Sequence, residues 1–440
     1  MSNKKRLELA EWAIERALKS GADQAAVSIS NHRNIQIEFR DKKLEKVKES
    51  TESSLNLQIY TEHRYSVHTT NDLGKESLTK FIKEAAASTK YLGEDKFRSL
   101  PDPKYYPVNL KADLKICDSS YEKITPSDRM KMAAKIESAA RVQSDKIIST
   151  TSSYSDEYQE KVRANSNGFS GAEERTNFSA GVMVTVSDKN GGRPEDWSWA
   201  NTRFHKDLPA AETLAKDAVQ RALQKIGQKK IESGKYDMIV ENRAGSGLIS
   251  MLQQPMIAHT VQQKNSFLEG MIGKKIASEK LAMIDDPMLE KGLGSRLFDG
   301  EGLAAKRRAM IEKGVLQYFY IDNYYGRKLG MELTSGSPSN LVFECGTKSL
   351  TELVRDIKKG ILVNGFIGGN SNSTTGDFSY GIMGLLIENG QIVKPVNEMN
   401  IAGNGKDFWN RLAAMGNDPY PYSSWLVPSM VFEKVQFSGL

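Results

Sequence analysis

An α+β fold, with a helix-and-antiparallel-sheet domain first and a β-rich domain of hairpins second, follows from three features of the chain. The apolar period changes early from 3.6 to 2, which marks a helix followed by strands with one buried face. The 440 residues exceed what a single hydrophobic core usually serves. Glycine becomes denser after Lys230, and turn signals dominate from there on.

Leu7, Ala10, Ile14, Ala17 and Leu18 recur at the helical period, and Gly21 stops that helix. Val27 and Ile29, then Ile35, Ile37 and Phe39, then Leu55, Leu57 and Ile59 alternate with polar residues, predicting an antiparallel sheet with turns at 31–34 and 41–43. A second helix carries Leu78, Phe81, Ile82, Ala85 and Ala86. Pro101, Pro103, Pro107 and Pro126 stand among polar residues and mark a long surface connection over about 93–127. Thr125 suits an N-cap and Pro126 the first helical position, opening a helix through Met130, Ala133, Ile136 and Ala140. Phe178, Ala180, Val182, Val184 and Val186, then Trp197 and Trp199, alternate as strands before a helix through Leu214, Ala218, Ala222 and Ile226. This repeat completes a first domain over 1–228 and leaves a second over 229–440. There a helix is expected over 244–262. The segments 311–315 and 387–391 each join a strand end to a glycine turn, predicting antiparallel hairpins, barrel-like or in mixed sheets, and not a parallel βαβ sheet.

Composition narrows the function. With 39% hydrophobic and 26% charged residues the chain reads as globular, and no window approaches the roughly 18 apolar residues of a spanning helix. The start, MSNKKRLELAEW, has no apolar signal core, so a cytoplasmic protein without membrane partners is expected. Cys117 and Cys345 lack a CxxC neighbour and are expected as buried small side chains. The net charge of +6 is interspersed, and the basic clusters at 42–43, 229–230 and 306–308 are short, so no nucleic acid partner is expected.

The richest segment is 364–405, where Gly365, Gly368, Gly369, Gly376, Gly381 and Gly384 fall on a strand-like pattern. It lacks the Lys-Ser/Thr pair of a phosphate loop, and Asp377-Phe378-Ser379-Tyr380 has no His-Arg-Asp run before it. Two readings stay open: tight turns in an antiparallel sheet, or a groove edge to which an extended peptide adds as a strand. On the second, Gly368, Gly369, Asn370, Asp377, Phe378 and Tyr380 are the candidate substrate-binding residues. Asp285, Asp286, Asp299 and Glu301 read as turn formers with Arg296 as an ion partner, the alternative being a divalent cation site. His32, His63, His68, His205 and His259 include no pair at ligand spacing, so no catalytic or metal residue is assigned.

Several blocks together resemble the TldD/PmbA family, older members of which are labelled modulators of DNA gyrase. They are 21–25 with 38–40 and 44–45, 70–73, 285–287 with 292–296 and 298–302, and 375–381 with 387–390. The resemblance covers nearly the whole chain. It implies a peptidase assembly of two related chains, in which the TldD-type chain binds zinc through a His-Glu-x-x-x-His helix and a later cysteine. Here the corresponding helix reads Ser250-Met251-Leu252-Gln253-Gln254-Pro255, and the tail 419–425 has no cysteine. The run 394–400 with Gly403-Asn404 is instead similar to the PmbA side, also called TldE, which lacks the metal motif. The resemblance therefore implies no cofactor in this chain, zinc in a TldD-like partner subunit, and unfolded peptide as substrate in a shared channel. A homodimer is the alternative assembly. A stand-alone peptidase using a metal or carboxylate centre, or a gyrase-modulating binding protein, is the alternative function.

Overall fold

Helix α1 (Asn3–Lys19) buries Leu9, Ala10, Ala13, Ile14 and Ala17, and Gly21 at φ +99° turns the chain out of it. Strands β1 (Gln24–Arg40), β2 (Lys43–Thr61) and β3 (Arg64–Thr70) follow, then helix α2 (Lys75–Thr89). This computed structural model describes residues 1–189 and 191–440. The connection after α2 holds only two short 3-10 turns, at Pro103–Tyr105 and Tyr121–Lys123. Helix α3 (Pro126–Arg141) starts at a reciprocal cap: the Thr125 hydroxyl accepts from the Asp128 N–H, and the Asp128 carboxylate accepts from the Thr125 N–H. Strands β4 (Ile147–Asn165), β5 (Ser170–Val186) and β6 (Glu195–Thr202) and helix α4 (Ala211–Gln224) complete this region.

The six strands form one antiparallel sheet in the order β3-β2-β1-β4-β5-β6. Its helix-facing side carries two apolar clusters. Val27, Ile29, Leu55, Leu57 and Ile59 pack with α1 and α2, while Ile35, Ile37, Tyr154, Phe178 and Val182 pack with α3 and α4. The turn expected at 31–34 is absent, because β1 runs straight through it. Asn31 accepts from the Ser53 hydroxyl (2.9 Å) and donates to Glu160 (3.2 Å), and Asn34 donates to Glu157 (3.3 Å). Asn31 faces the helices, where its partner Glu160 also accepts from Arg6 of α1 (2.7 Å), and Asn34 faces the opposite side; both are satisfied across strands, so they sit in a strand without penalty. The first reversal is at Asp41 and Lys42, both at positive φ.

The remaining elements are β7 (Gly234–Val240), α5 (Gly245–Gln253), α6 (Ala258–Gln262), β8 (Met283–Asp285), β9 (Arg308–Glu312), β10 (Val315–Leu316), α7 (Asn323–Leu329), β11 (Leu341–Phe343), α8 (Leu350–Asp356), β12 (Lys359–Ser371), β13 (Asp377–Glu388), β14 (Gln391–Asn404), α9 (Gly405–Phe408), β15 (Leu412–Met415), β16 (Trp425–Leu426) and β17 (Met430–Ser438). Strands β14, β13, β12, β7 and β17 are neighbours in that order. The pairs Asn400 with Ser438 and Ile401 with Phe437 then bring β17 back to β14 and close a five-stranded barrel. Its interior holds Met238, Val240, Ile361, Val363, Phe378, Ile382, Phe432 and Phe437. A smaller sheet, β10-β9-β8-β11-β16, lies beside it.

Both expected hairpin turns are present, at Lys313-Gly314 between β9 and β10 and at Asn389-Gly390 between β13 and β14, all four residues at positive φ. The sheets are mixed, as expected, since β7 pairs β12 in parallel and β11 pairs β16 in parallel, although the sequence did not show which strands pair this way. Local turn signals report only consecutive strands, and these pairs join strands far apart in sequence. The helix expected over 244–262 is broken in two. Pro255 lies in a 3-10 turn, and Ile257 is extended before α6 begins. Cys117 is half-buried and Cys345 exposed, so neither is the fully buried side chain expected. Among the described residues no helix is long and apolar enough to cross a membrane.

Candidate functional site

The second half of β12 and the start of β13 hold the candidate residues. Gly368 (φ +62°) and Gly369 (φ +108°) form a bulge, where pairing to β13 skips from Ile367–Gly381 to Asn370–Ser379. A Cβ on Gly369 would lie 2.3 Å from the Ser379 carbonyl oxygen, so only glycine fits. In the following turn the Thr375 hydroxyl (2.7 Å) and the Asn404 amide (2.8 Å) donate to the two oxygens of Asp377 and hold its carboxyl below the usual range. Asn404 also accepts from the Lys406 N–H (3.0 Å) as the N-cap of α9, so Asp377 clasps the turn to that helix. Phe378 is buried, edge-on to Phe408 and stacked on Tyr380. Tyr380 is half-buried against Phe366, with ring centroids 5.6 Å apart. Gly368, Gly369 and Asn370 are exposed. The six residues thus form one patch, with the bulge outside and the aromatic rings beneath it.

Sequence reasoning missed one feature of this patch, an unpaired strand edge. Strand β7 stops at Val240, opposite Val363, and among the described residues no strand pairs with that side of β12 from Gly365 to Ser371. A row of main-chain groups is left open there, rimmed by exposed Ile367 and half-buried Phe366. Just before the opening, Arg221 of α4 makes a two-point pair with Glu241 (2.7 and 3.0 Å) and reaches the Asn364 carbonyl (3.4 Å). This anchors the start of the free edge to the N-terminal sheet and its helices. The first turn of α5 runs alongside, where a Cβ on Gly247 would meet the Phe366 ring at 3.6 Å.

Helix α5 is where a zinc motif would fall, and its side chains do not fit one. The run Ser250–Pro255 offers a hydroxyl, a thioether and two amides, with no imidazole, thiolate or carboxylate. Met251 and Leu252 belong to the apolar core, and Gln253 is buried with an amide nitrogen that has no acceptor, a donor where a cation needs a lone pair. Among the described residues no group of three or more His, Cys, Asp or Glu is placed to hold a metal ion.

The acidic residues serve the backbone. Asp285 is buried, which raises its pKa, and accepts from the N–H and hydroxyl of Ser339. Asp286 accepts from the Met288 N–H (2.9 Å) and pairs with Arg307 (3.2 Å). Asp299 accepts from the N–H groups of Glu301 (2.9 Å) and Leu303 (3.0 Å). Glu301 accepts from the Asn323 N–H (2.9 Å), and burial, reinforced by Asp299 and Asp322, pushes its carboxyl up to about 7. Arg296 is not their ion partner: it donates to the Ser335 hydroxyl (3.1 Å) and the Ser337 carbonyl (2.7 Å). His259 is exposed, its ring edge-on to Tyr325 at 5.5 Å.

Three family models match the chain: PmbA/TldA metallopeptidase domain 1 over 25–89, the central domain over 120–226 and the C-terminal domain over 233–439. Metalloprotease PmbA of Escherichia coli O157:H7 is 28% identical over 439 residues, spanning 98% of this chain and 96% of that protein. A crystal structure from Bacteroides thetaiotaomicron, of a protein named for modulation of DNA gyrase, is 42% identical, superposes with a TM-score of 0.96 and covers 98% of both chains. TldE of Thermococcus kodakarensis shares the fold, with a TM-score of 0.87 at 22% identity over 98% of this chain and all 100% of that one.

Proposed function

The chain belongs to the PmbA/TldD metallopeptidase family, and from that premise we propose that it is the subunit without metal in a two-chain peptidase, presenting unfolded peptide to a zinc-bearing TldD-like partner. The observation that carries this reading is the pairing of an open strand edge with a neighbouring helix that has no metal donors. From Gly365 to Ser371 the free side of β12 can take an extended segment as an added strand. Main-chain bonds would give affinity without selecting one sequence, as a substrate class of unfolded peptides requires. Zinc needs three protein ligands and an open position to activate water, and α5 beside the edge supplies only hydroxyl, thioether and amide groups. Binding on this chain with cleavage on its neighbour reconciles those two facts. Gly368, Gly369, Asn370, Asp377, Phe378 and Tyr380 then shape the peptide platform: the bulge turns the edge outward, Asp377 fixes the turn, and the rings support it from below.

Metal analysis and a peptidase assay on the purified chain test the proposal. The expected result is no stoichiometric zinc and no cleavage by the chain alone, with cleavage appearing when a zinc-bearing family partner is added. Stoichiometric zinc in the isolated chain, with cleavage abolished by a chelator, overturns it.

A further inference from the structure

The run of three cations at Lys306, Arg307 and Arg308 is divided by the structure. Arg307 pairs with Asp286. Lys306 and Arg308 instead line a cleft of about 470 Å³, within the range of about 300–1,000 Å³ typical of ligand sites. The Arg308 guanidinium is half-buried and makes one hydrogen bond, to the Lys306 carbonyl (3.2 Å). Among the described residues neither cation has an ion pair within 4.0 Å; Arg308 stands opposite buried Asp285 in the β8–β9 register, but that carboxylate is taken up by Ser339, and the acidic residue lining the cleft is exposed Glu332. The rest of the wall is polar and apolar in near-equal measure, with an apolar side formed by exposed Ile272 and Tyr318 and half-buried Met331 and Leu333. A partly desolvated guanidinium with unused N–H groups is costly unless an anion pairs with it, and its planar fork matches a carboxylate. The apolar side asks in addition for an apolar group next to that anion.

We propose that this cleft binds the C-terminal carboxylate of a peptide whose last residue is apolar, with Arg308 gripping both oxygens and Lys306 adding a point charge. This rests on the peptide reading above and extends it to a second contact. The cleft and the strand edge are physically joined: the segment that supplies Ile272 to the cleft wall also donates the Phe267 N–H to the Ser373 carbonyl (2.8 Å) in the β12–β13 turn.

The test is binding of a short fluorescent peptide ending in leucine to the full chain, with the peptide as free acid and as C-terminal amide. The free acid should bind about 10- to 100-fold more tightly, the worth of hydrogen bonds to a charged group. Arg308→Gln should erase that preference, while Arg307→Gln, whose partner is Asp286, should retain it. Equal binding of acid and amide by the unmodified chain overturns the carboxylate site and leaves the peptide platform standing. No binding of either form, with or without a zinc-bearing partner, overturns both. The acid-against-amide comparison needs no variant, so a misfolded Arg308→Gln cannot mask the outcome.

Discussion

Gly369 shows how far one position can constrain the site. At φ +108°, with the Ser379 carbonyl where a side chain would begin, it admits no Cβ. Gly369→Ala should cost about 2–3 kcal/mol through backbone strain and a forced shift of β13, seen as a lower urea midpoint with an unchanged slope. A glycine pair on a strand-like pattern marks such a bulge in the sequence, so this part of the site was legible. The roles of Asp377 and Phe378 were not, because the same two letters fit a ligand contact or a clasp and a core ring. Only the positions of Asn404 and Phe408 distinguish these. Glu301 gives a second prediction at this scale. Its carboxyl titrates near 7 in the fold against an ordinary value of 4.5. Between those values the folded state holds a proton that the unfolded chain has released, so stability falls as pH rises from about 4.5 to about 7. Glu301→Gln keeps an acceptor for Asn323 and should remove this pH dependence. The gain is on the order of 3 kcal/mol at about pH 8 and little at about pH 4.

At the scale of elements, the barrel depends on two closing pairs between β14 and β17 and on Phe437 beneath them, fully buried and edge-on to Tyr236. Phe437→Ala should destabilise by about 3–5 kcal/mol, measured by chemical denaturation. A loss below about 1 kcal/mol would show that the closure contributes little. The free edge of β12 arises because β12 outlasts β7, and a strand's excess over its partner cannot be read from either strand alone. The N-terminal sheet was easier to read, since Val27, Ile29, Leu55, Leu57 and Ile59 keep a strict period of two against the helices. Where that period gives way to Asn31-His32-Arg33-Asn34, sequence reasoning placed a turn, because cross-strand partners such as Ser53 and Glu160 are invisible in one dimension. The break at Pro255 had a visible signal, proline, that an otherwise helical pattern outweighed.

For the whole molecule, the family blocks lie across both sheet systems, and the structure sets an open strand edge beside a helix with no metal donors. On the function proposed above, that combination leaves peptide holding to this chain and cleavage to a neighbour. It also predicts that substitutions along the edge lower the activity of the assembly without changing its zinc content, which a peptidase assay read beside metal analysis will show. The most direct measurement is to tag this chain in its native cell, purify what travels with it, identify the companion and determine which polypeptide holds the zinc after the two are separated. The account predicts a family member with the zinc motif in equal proportion, with zinc following that companion. Recovery of this chain alone, carrying its own zinc and cleaving peptide, would contradict it.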